Sequence, residues 1–207
     1  RIAAVSAPQR LSAANRAQPT VLVQPSSGQR IADELHSTAT ALQQSTQNAL
    51  TGVGRLQVAD SILNEVTRLL DDAVVLATEV ATGTVTADQR TEFDALFTAI
   101  KEQINHIGTH TTFDGAPVFS STPFSVSISD GTAATQIAAT IGELSSSGDD
   151  SDSLVNLGTS GLTTTADAVS ALTSINTAIG RVAALQGTLE ATFHELSGAL
   201  KVVYNRV

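Results

Sequence analysis

The chain has 207 residues, of which 42% are hydrophobic and only 3% aromatic, and its formal net charge is −9. It contains no cysteine, which excludes a disulfide framework and a thiolate zinc site. The negative charge argues against a nucleic-acid partner, because neutralising phosphates requires an excess of cations. No unbroken apolar run approaches the roughly 20 residues of a membrane span, so no membrane partner is predicted.

Residues 1–27 are predicted to be an irregular segment, because Pro8, Pro19 and Pro25 interrupt any helical pattern. Arg1 is not followed by the sustained apolar region of a signal peptide, so no cleavable signal is predicted. Since the chain starts with arginine, we expect a fragment that is trimmed at one or both ends.

The first predicted helix covers residues 28–82 and would be about 80 Å long. Ser26 and Gln29 have the spacing of a capping box at its start, and Gly83 suits its C-terminal cap. The apolar stripe, with spacings mostly of three and four, consists of Ile31, Leu35, Leu42, Leu50, Val53, Leu56, Leu63, Val66, Leu70, Ala73, Ala77 and Val80.

Gly52 and Gly54 interrupt this stripe, and each costs a helix about 1 kcal/mol relative to alanine. Two interpretations are open. Either the helix breaks there, or a neighbour packs too closely for a side chain.

A second helix is predicted over residues 86–108, with Thr86 and Gln89 as another capping box and an end near Gly108. The short connection to the first helix predicts an antiparallel helical hairpin. The residues expected to be buried are Phe93, either Leu96 or Phe97, Ile100, Ile104 and Ile107.

A β region is predicted over residues 115–144, where the apolar period changes to alternation at Phe124, Val126 and Ile128. Asp130-Gly131 is a hairpin turn signal, and residues 137–141 are the expected return strand. Residues 145–153 are interpreted as a solvated polar loop. Its aspartates do not have the spacing of a calcium-binding loop.

The last predicted helix covers residues 164–205, with Thr164 and Asp167 at capping spacing. Its predicted seam is Ala166, Val169, Leu172, Ile175, Ile179, Val182, Leu185, Leu189, Phe193, Leu196, Leu200 and Val203. A seam of this length is typical of a coiled coil and needs partner helices. The expected fold class is mainly α, a long antiparallel helical bundle with a small β-hairpin region at one end. Residues 28–207 would form its core domain.

Four histidines, His36, His106, His110 and His194, are candidate metal ligands or catalytic groups. His106 and His110 would share a face of a continuous helix, but Gly108 lies between them at the predicted helix end and no third ligand is evident. We therefore predict surface or packing roles and no metal site.

Other chemical motifs are also incomplete. His194-Glu195 begins like a zinc protease helix, but Gly198 stands where the second histidine would be. No glycine-rich loop has the spacing of a phosphate cradle, and no serine lies in a nucleophile elbow. No catalytic residue or cofactor site is predicted, so the chain is not expected to be an enzyme.

Several segments, in the same order along the chain, resemble bacterial flagellins. "GQRIAD" at residues 28–33, Asn48-Ala49 and "ADSILNE" at residues 59–65 are similar to motifs of the N-terminal helical region. "TTFDG" at residues 111–115 resembles a Thr-x-Phe-Asn-Gly signature, with Asp114 in place of asparagine. The segment from residue 164 resembles the start of the C-terminal core helix. The resemblance covers about residues 10–207, including "RLSAANR" at residues 10–16.

The resemblance implies a structural subunit of the flagellar filament, an extracellular protein that is exported without a cleavable signal. Its partner would be further copies of itself, joined by heterologous contacts that generate an open helical polymer. An export chaperone and a filament cap are further implied partners. The resemblance also implies that Gly52 is tolerated within a continuous helix because neighbouring helices pack closely, whereas Gly54 departs from the family pattern.

This chain also departs from the family in three respects. Only about fifty residues separate Gly115 from Thr165, which leaves no room for large outer domains. The terminal assembly helices look incomplete. Asp72 stands where flagellins that activate Toll-like innate receptors carry arginine, so weak or absent receptor activation is expected.

Two other functions remain open from the sequence. A hook–filament junction protein would share much of the core, although Asn64-Glu65 and the Phe-Asp-Gly signature favour a filament flagellin. A secreted adhesin or binding module is the other alternative, with Ser145–Ser147 as exposed contact residues.

Overall fold

A computed structural model describes residues 26–129, 134–146 and 153–205. Its three helices are α1 (Ser27–Ala81), α2 (Ala87–His110) and α3 (Thr165–Tyr204), and its strands are β1 (Thr112–Phe113), β2 (Ala116–Pro117), β3 (Phe124–Ser129) and β4 (Ala134–Ala139). The predicted fold class, mainly helical with a small β region, is confirmed. Outside the described residues lie the first 25 residues, the Asp130-Gly131 turn and most of the polar loop. The predicted boundary between the irregular segment and the core domain at residue 28 stays a prediction.

The helix starts follow the predicted capping chemistry. Gln29 N–H donates to Ser26 Oγ at 3.2 Å, and Gln89 N–H donates to Thr86 Oγ1 at 3.3 Å, with each glutamine side chain accepting in return from the cap backbone. Thr164 accepts from Asp167 N–H at 3.1 Å. These bonds satisfy N–H groups that have no partner within the helix.

The core of the molecule is a seam between α1 and α3. Positions near Gly52 lie beside Leu196, whereas Asp60 and Asn64 lie beside Gln186, so the two helices are antiparallel. The buried row on α1 alternates strictly between spacings of three and four and consists of Leu42, Ser45, Ala49, Gly52, Leu56, Ala59, Leu63, Val66, Leu70, Ala73, Ala77 and Val80. This is the heptad period of a coiled coil.

The matching row on α3 differs from the predicted seam. Its buried members are Ala168, Ala171, Ile175, Ala178, Val182, Leu189, Thr192, Leu196 and Val203. At its start, alanines face α1, whereas Val169 is 53% exposed. The prediction chose the larger apolar residues, but small side chains in the seam let the two helices approach each other closely.

Three residues of the predicted α1 stripe are also exposed. Ile31, Leu35 and Leu50 have exposed fractions of 58%, 65% and 50%. Leu50 falls outside the heptad row that contacts α3, and the other two precede Leu42, the first buried residue of α1.

α2 packs against α1, and its Phe97 and Ile104 are fully buried, whereas Leu96 is half exposed. Of the two alternatives for this position, Phe97 is therefore the core residue. α2 continues past Gly108 and ends at His110, two residues beyond the predicted end. A Cβ at Gly108 would collide with the backbone carbonyl of Leu144, so this glycine permits close approach of a loop and does not end the helix.

The β region consists of two separate antiparallel pairs. β1 and β2 form a small hairpin whose turn, Asp114-Gly115, has positive φ angles of 52° and 75°. β3 and β4 form the longer pair, in register at Val126↔Ile137, with Val126 and Ile137 both buried. The predicted alternation is confirmed, while the first hairpin begins slightly before the predicted β region.

The prediction of a solvated loop over residues 145–153 is wrong at both ends of the loop, and residues 147–152 lie outside the described residues. Ser146 and Ser153 are 0% and 4% exposed, respectively. Ser146 Oγ donates to Lys101 O at 2.6 Å, and Arg181 Nη1 donates to Ser153 O at 3.0 Å. The described ends of this loop are therefore bound to α2 through a serine hydroxyl and to α3 through an arginine side chain.

Within the described residues, α3 alone is long and apolar enough to cross a membrane by length and composition, with a mean hydropathy of 1.3 over an 18-residue window. This helix contains no long unbroken apolar run, so its high mean hydropathy was not recognised in the sequence. Because the buried residues of α3 lie along the seam with α1, we interpret α3 as a bundle helix.

Candidate functional site

The residues considered for chemistry do not assemble into a catalytic group within the described ranges. No cluster of three or more histidine, aspartate or glutamate side chains occurs there. His36 and His194 are exposed on different helices, and His194 Nε2 lies 3.7 Å from Glu190. His106 and His110 are exposed and stack on each other at the end of α2. Other candidate features are the surfaces through which the helices and the β region contact each other.

One such feature is the surface of α1 on which the β3–β4 pair docks. Ser129 N–H donates to Ser45 Oγ at 2.7 Å, and Asn48 Nδ2 donates to Ser127 O at 3.0 Å. These side chains occupy backbone groups along the edge of β3, which would otherwise be open to pairing with another strand. Polar residues of α1 thus fix the position of the hairpin.

Gly52 lies at the centre of this docking surface. A Cβ there would lie 2.6 Å from Val126 Cγ2 and 3.3 Å from Leu196 Cδ1, so strand β3 and helix α3 occupy the space of its side chain. α1 runs through this position without a break. The glycine is required by close packing, as the resemblance implied, but the closest neighbour is a strand side chain.

Gly54, which the family pattern left unexplained, has a similar reason. A Cβ at this position would lie 2.9 Å from Phe113 Cζ and 3.2 Å from Phe113 Cε2. The ring of Phe113 therefore packs directly on the backbone of α1. The first hairpin thus places an aromatic ring in the space that a side chain at position 54 would occupy.

Arg55 connects α1 to both hairpins and was missed in the sequence. Its Nη2 donates to the carbonyl of Pro117, and its guanidinium lies 4.8 Å from the centroid of the Phe124 ring. Burial lowers the pKa of Arg55 from its usual value, and the contact with the ring partly replaces lost hydration. The spacing of apolar residues does not indicate that Arg55 has this role, because its partners lie more than 60 residues later in the chain.

Two open grooves run along the helices. The α1–α3 groove has a volume of about 830 Å³ and includes Asp60, Asn64 and Gln186, whose Nε2 donates to Asn64 Oδ1 at 3.2 Å. The α1–α2 groove, of about 380 Å³, contains Asp72 together with Val75 and Leu96. Val75 is 60% exposed and Leu96 is 48% exposed.

Apolar side chains are also exposed at one end of the antiparallel pair. Ile31 and Leu35 lie near the start of α1, and Val202 and Tyr204 lie at the end of α3. Since α1 and α3 run in opposite directions, these residues share one end of the bundle. Exposed apolar residues grouped in this way are typical of protein contact surfaces.

Comparison with known proteins identifies relatives for most of the chain. Residues 9–123 match the family model of the bacterial flagellin N-terminal helical region. The chain is 33% identical over 94 residues to flagellin A of Helicobacter pylori, which covers 45% of this chain and 18% of that protein. It is 31% identical over 116 residues to flagellin A of Vibrio anguillarum, which covers 56% of this chain and 29% of that protein. The matched part thus spans less than a third of either relative.

The fold is similar to that of a solved structure. The crystal structure of Bacillus cereus flagellin superposes with a TM-score of 0.64 at 21% sequence identity, covering 75% of this chain and 88% of that chain. At this level of identity the likeness establishes the architecture, in which long helices carry a small β region.

Proposed function

Because this chain belongs to the bacterial flagellin family, we propose that it forms the helical core of a structural subunit of the extracellular flagellar filament. The observation that carries the proposal is the long antiparallel seam of α1 and α3, which builds a stiff element with exposed apolar residues at one end. Further copies of the chain are its proposed partners. Export without a cleavable signal, an export chaperone and a filament cap belong to the same proposal.

The surfaces of this core suit repeated contact between copies. The α1–α3 and α1–α2 grooves lie on different sides of α1 and have different linings, the first about equally polar and apolar and the second mostly apolar. A contact that joins different patches on successive copies does not close on itself, so it extends into a helical polymer. A catalytic role finds no support, since flagellins are structural proteins.

The assembly test compares the 207-residue chain with a version that is extended at both ends to its natural termini. Sedimentation velocity and electron microscopy are the measurements. We expect the shorter chain to stay monomeric and the longer one to form filaments. If the longer chain stays monomeric even when filament fragments are added as seeds, the filament proposal is wrong, and a junction protein or an adhesin takes its place.

A pair of substitutions sharpens this test. Ile31→Ser with Leu35→Ser, made in the longer version, should reduce filament formation, because both side chains are exposed and available for contact between copies. The matched control is Gln43→Ser with Gln47→Ser, which changes two exposed residues with the same spacing on α1. Equal loss of assembly in both variants would show that the exposed apolar pair has no specific role.

A second part of the proposal concerns innate receptors. Asp72 is exposed and lines the α1–α2 groove, so a receptor that contacts this face would meet a carboxylate in place of the arginine implied by the resemblance. We expect weak activation of Toll-like receptor reporter cells and stronger activation by Asp72→Arg. Signalling by the parent chain at the potency of typical flagellins would contradict this expectation.

A further inference from the structure

The end of α2 carries two histidines in an arrangement that the filament proposal does not use. α2 is continuous through His110, so His106 and His110 are one turn apart on the same face. Their ring centroids are 4.1 Å apart, the ring planes differ by 9°, and both residues are exposed. From the sequence, two reasons speak against a metal site here, a helix end at Gly108 and the lack of an evident third ligand. The structure removes the first, because α2 continues to His110.

The hydrogen bonds of His110 determine which of its nitrogens is available to a ligand. His110 Nδ1 lies 3.0 Å from the carbonyl oxygen of His106. A carbonyl only accepts hydrogen bonds, so Nδ1 carries the proton of the neutral ring and Nε2 keeps a lone pair. Thr109 Oγ1 is 2.9 Å from the same Nδ1 and stays compatible with this tautomer, because its own proton is donated to Asn105 O.

This arrangement is the one that histidine ligands of metal ions usually show. Such a ligand donates its second ring N–H to a backbone carbonyl or a carboxylate, which fixes the orientation of the ring and makes the other nitrogen more basic. In this chain the supporting carbonyl belongs to the other histidine of the pair. The backbone of α2 therefore holds one ring in place while the helix positions the second ring beside it.

We propose that His106 and His110 bind a divalent transition-metal ion through their ring nitrogens, after a small rotation that opens the stack, with water as the remaining ligands. Imidazole favours copper, nickel and zinc over magnesium and calcium, which prefer oxygen ligands. No third histidine or carboxylate joins this pair in a cluster within the described residues, so the bound ion is exchangeable and keeps open positions. A net charge of −9 raises the local concentration of cations.

The test is isothermal titration of the tag-free 207-residue chain with NiCl₂, with MgCl₂ as the hard-cation comparison. We expect saturable nickel binding, no magnesium binding, and a dissociation constant at least about tenfold higher in His106→Gln or His110→Gln. His36→Gln and His194→Gln are matched controls, since each replaces one exposed histidine on a helix and should leave the affinity unchanged. Circular dichroism checks that all four variants keep the helical fold.

One nickel ion per chain, or one ion shared by two chains in a dimer seen by sedimentation velocity, would both support the pair as the ligands. Absence of saturable binding would overturn the proposal. So would equal weakening by the His36 or His194 substitution, because binding would then not depend on the stacked pair.

Discussion

α1 is used in different ways towards α3 and towards the β region. Towards α3 it presents a heptad row that is entirely aliphatic from Leu56 to Val80, in which stability comes from the apolar area removed from water. Towards the β region it presents glycines, hydroxyl and amide groups and Arg55, so contact depends on missing side chains and on single hydrogen bonds. The stability of the seam should therefore be sensitive to substitutions that remove side-chain volume. The stability of the docking surface should be sensitive to substitutions that add it.

The seam should show the largest loss when volume is removed. Leu63 is fully buried between the helices, so Leu63→Ala should lower the free energy of unfolding by about 3 kcal/mol through lost burial and an unfilled cavity. Urea denaturation measures this change. Leu50→Ala on the same helix is the control, because Leu50 is half exposed and its loss should cost less than about 1 kcal/mol. Similar losses for the two variants would contradict the assigned heptad row.

Among substitutions that add a side chain, the largest loss of stability is expected at Gly108, where α2 contacts the loop that contains Leu144. In Gly108→Ala the new Cβ would meet the carbonyl group of Leu144, and backbone cannot move aside as a side chain can. We expect a net loss of about 2 kcal/mol even after the gain in helix propensity. Gly180→Ala in α3, where nothing lies within 4 Å, should instead stabilise the protein. Thermal or urea unfolding measures whether each variant is less stable or more stable than the parent.

Gly52→Ala should cost less than Gly108→Ala, about 1 kcal/mol, because the atoms it meets are the ends of side chains. A double-mutant cycle with Val126→Ala tests the cause, since Val126 Cγ2 is the nearest atom. The double variant should be more stable than the sum of the two single losses implies. Simple additivity would mean that the strand does not explain this glycine.

The smallest expected effect concerns the start of α3. Hydrogen bonds from the side chains of Thr164 and then Thr163 lower the pKa of Asp167 below its usual value of 3.8. Because the folded-state pKa is the lower one, the stabilisation is complete above the unfolded value and is lost as the pH falls through the folded one. Asp167→Asn should therefore lower the urea midpoint at pH 7, and the difference from the parent should shrink once the pH is below 3.8. A difference that is constant with pH would exclude this carboxylate as its source.

The helices were predictable because their signals are local. Ser26, Thr86 and Thr164 lie three residues before their hydrogen-bond partners, and all three caps occur where the sequence placed them. The bounds of each helix agree with the prediction to within two residues. The period of α1 and α3 was also visible, so the fold class followed from the sequence.

The contact surfaces were less predictable. Ala168 and Val169 are neighbours on α3, and only the path of α1 decides that the smaller residue is buried. Likewise, nothing near Ser146 in the sequence indicates that its hydroxyl bonds to Lys101 O, 45 residues earlier in the chain. The contacts of Arg55 and the stacking of His106 on His110 were likewise not predictable from the sequence.

The sequence by itself determined the helices, their caps, their heptad period and the family. Helix capping and helix propensity depend on residues that are a few positions apart, so both can be recognised in the sequence. Only the tertiary structure decided why positions 52, 54 and 108 are glycine, because the atoms that exclude a side chain belong to Val126, Phe113 and Leu144. Close approach is a property of segments that meet in space, and the distance between them is set by the packing of the whole chain.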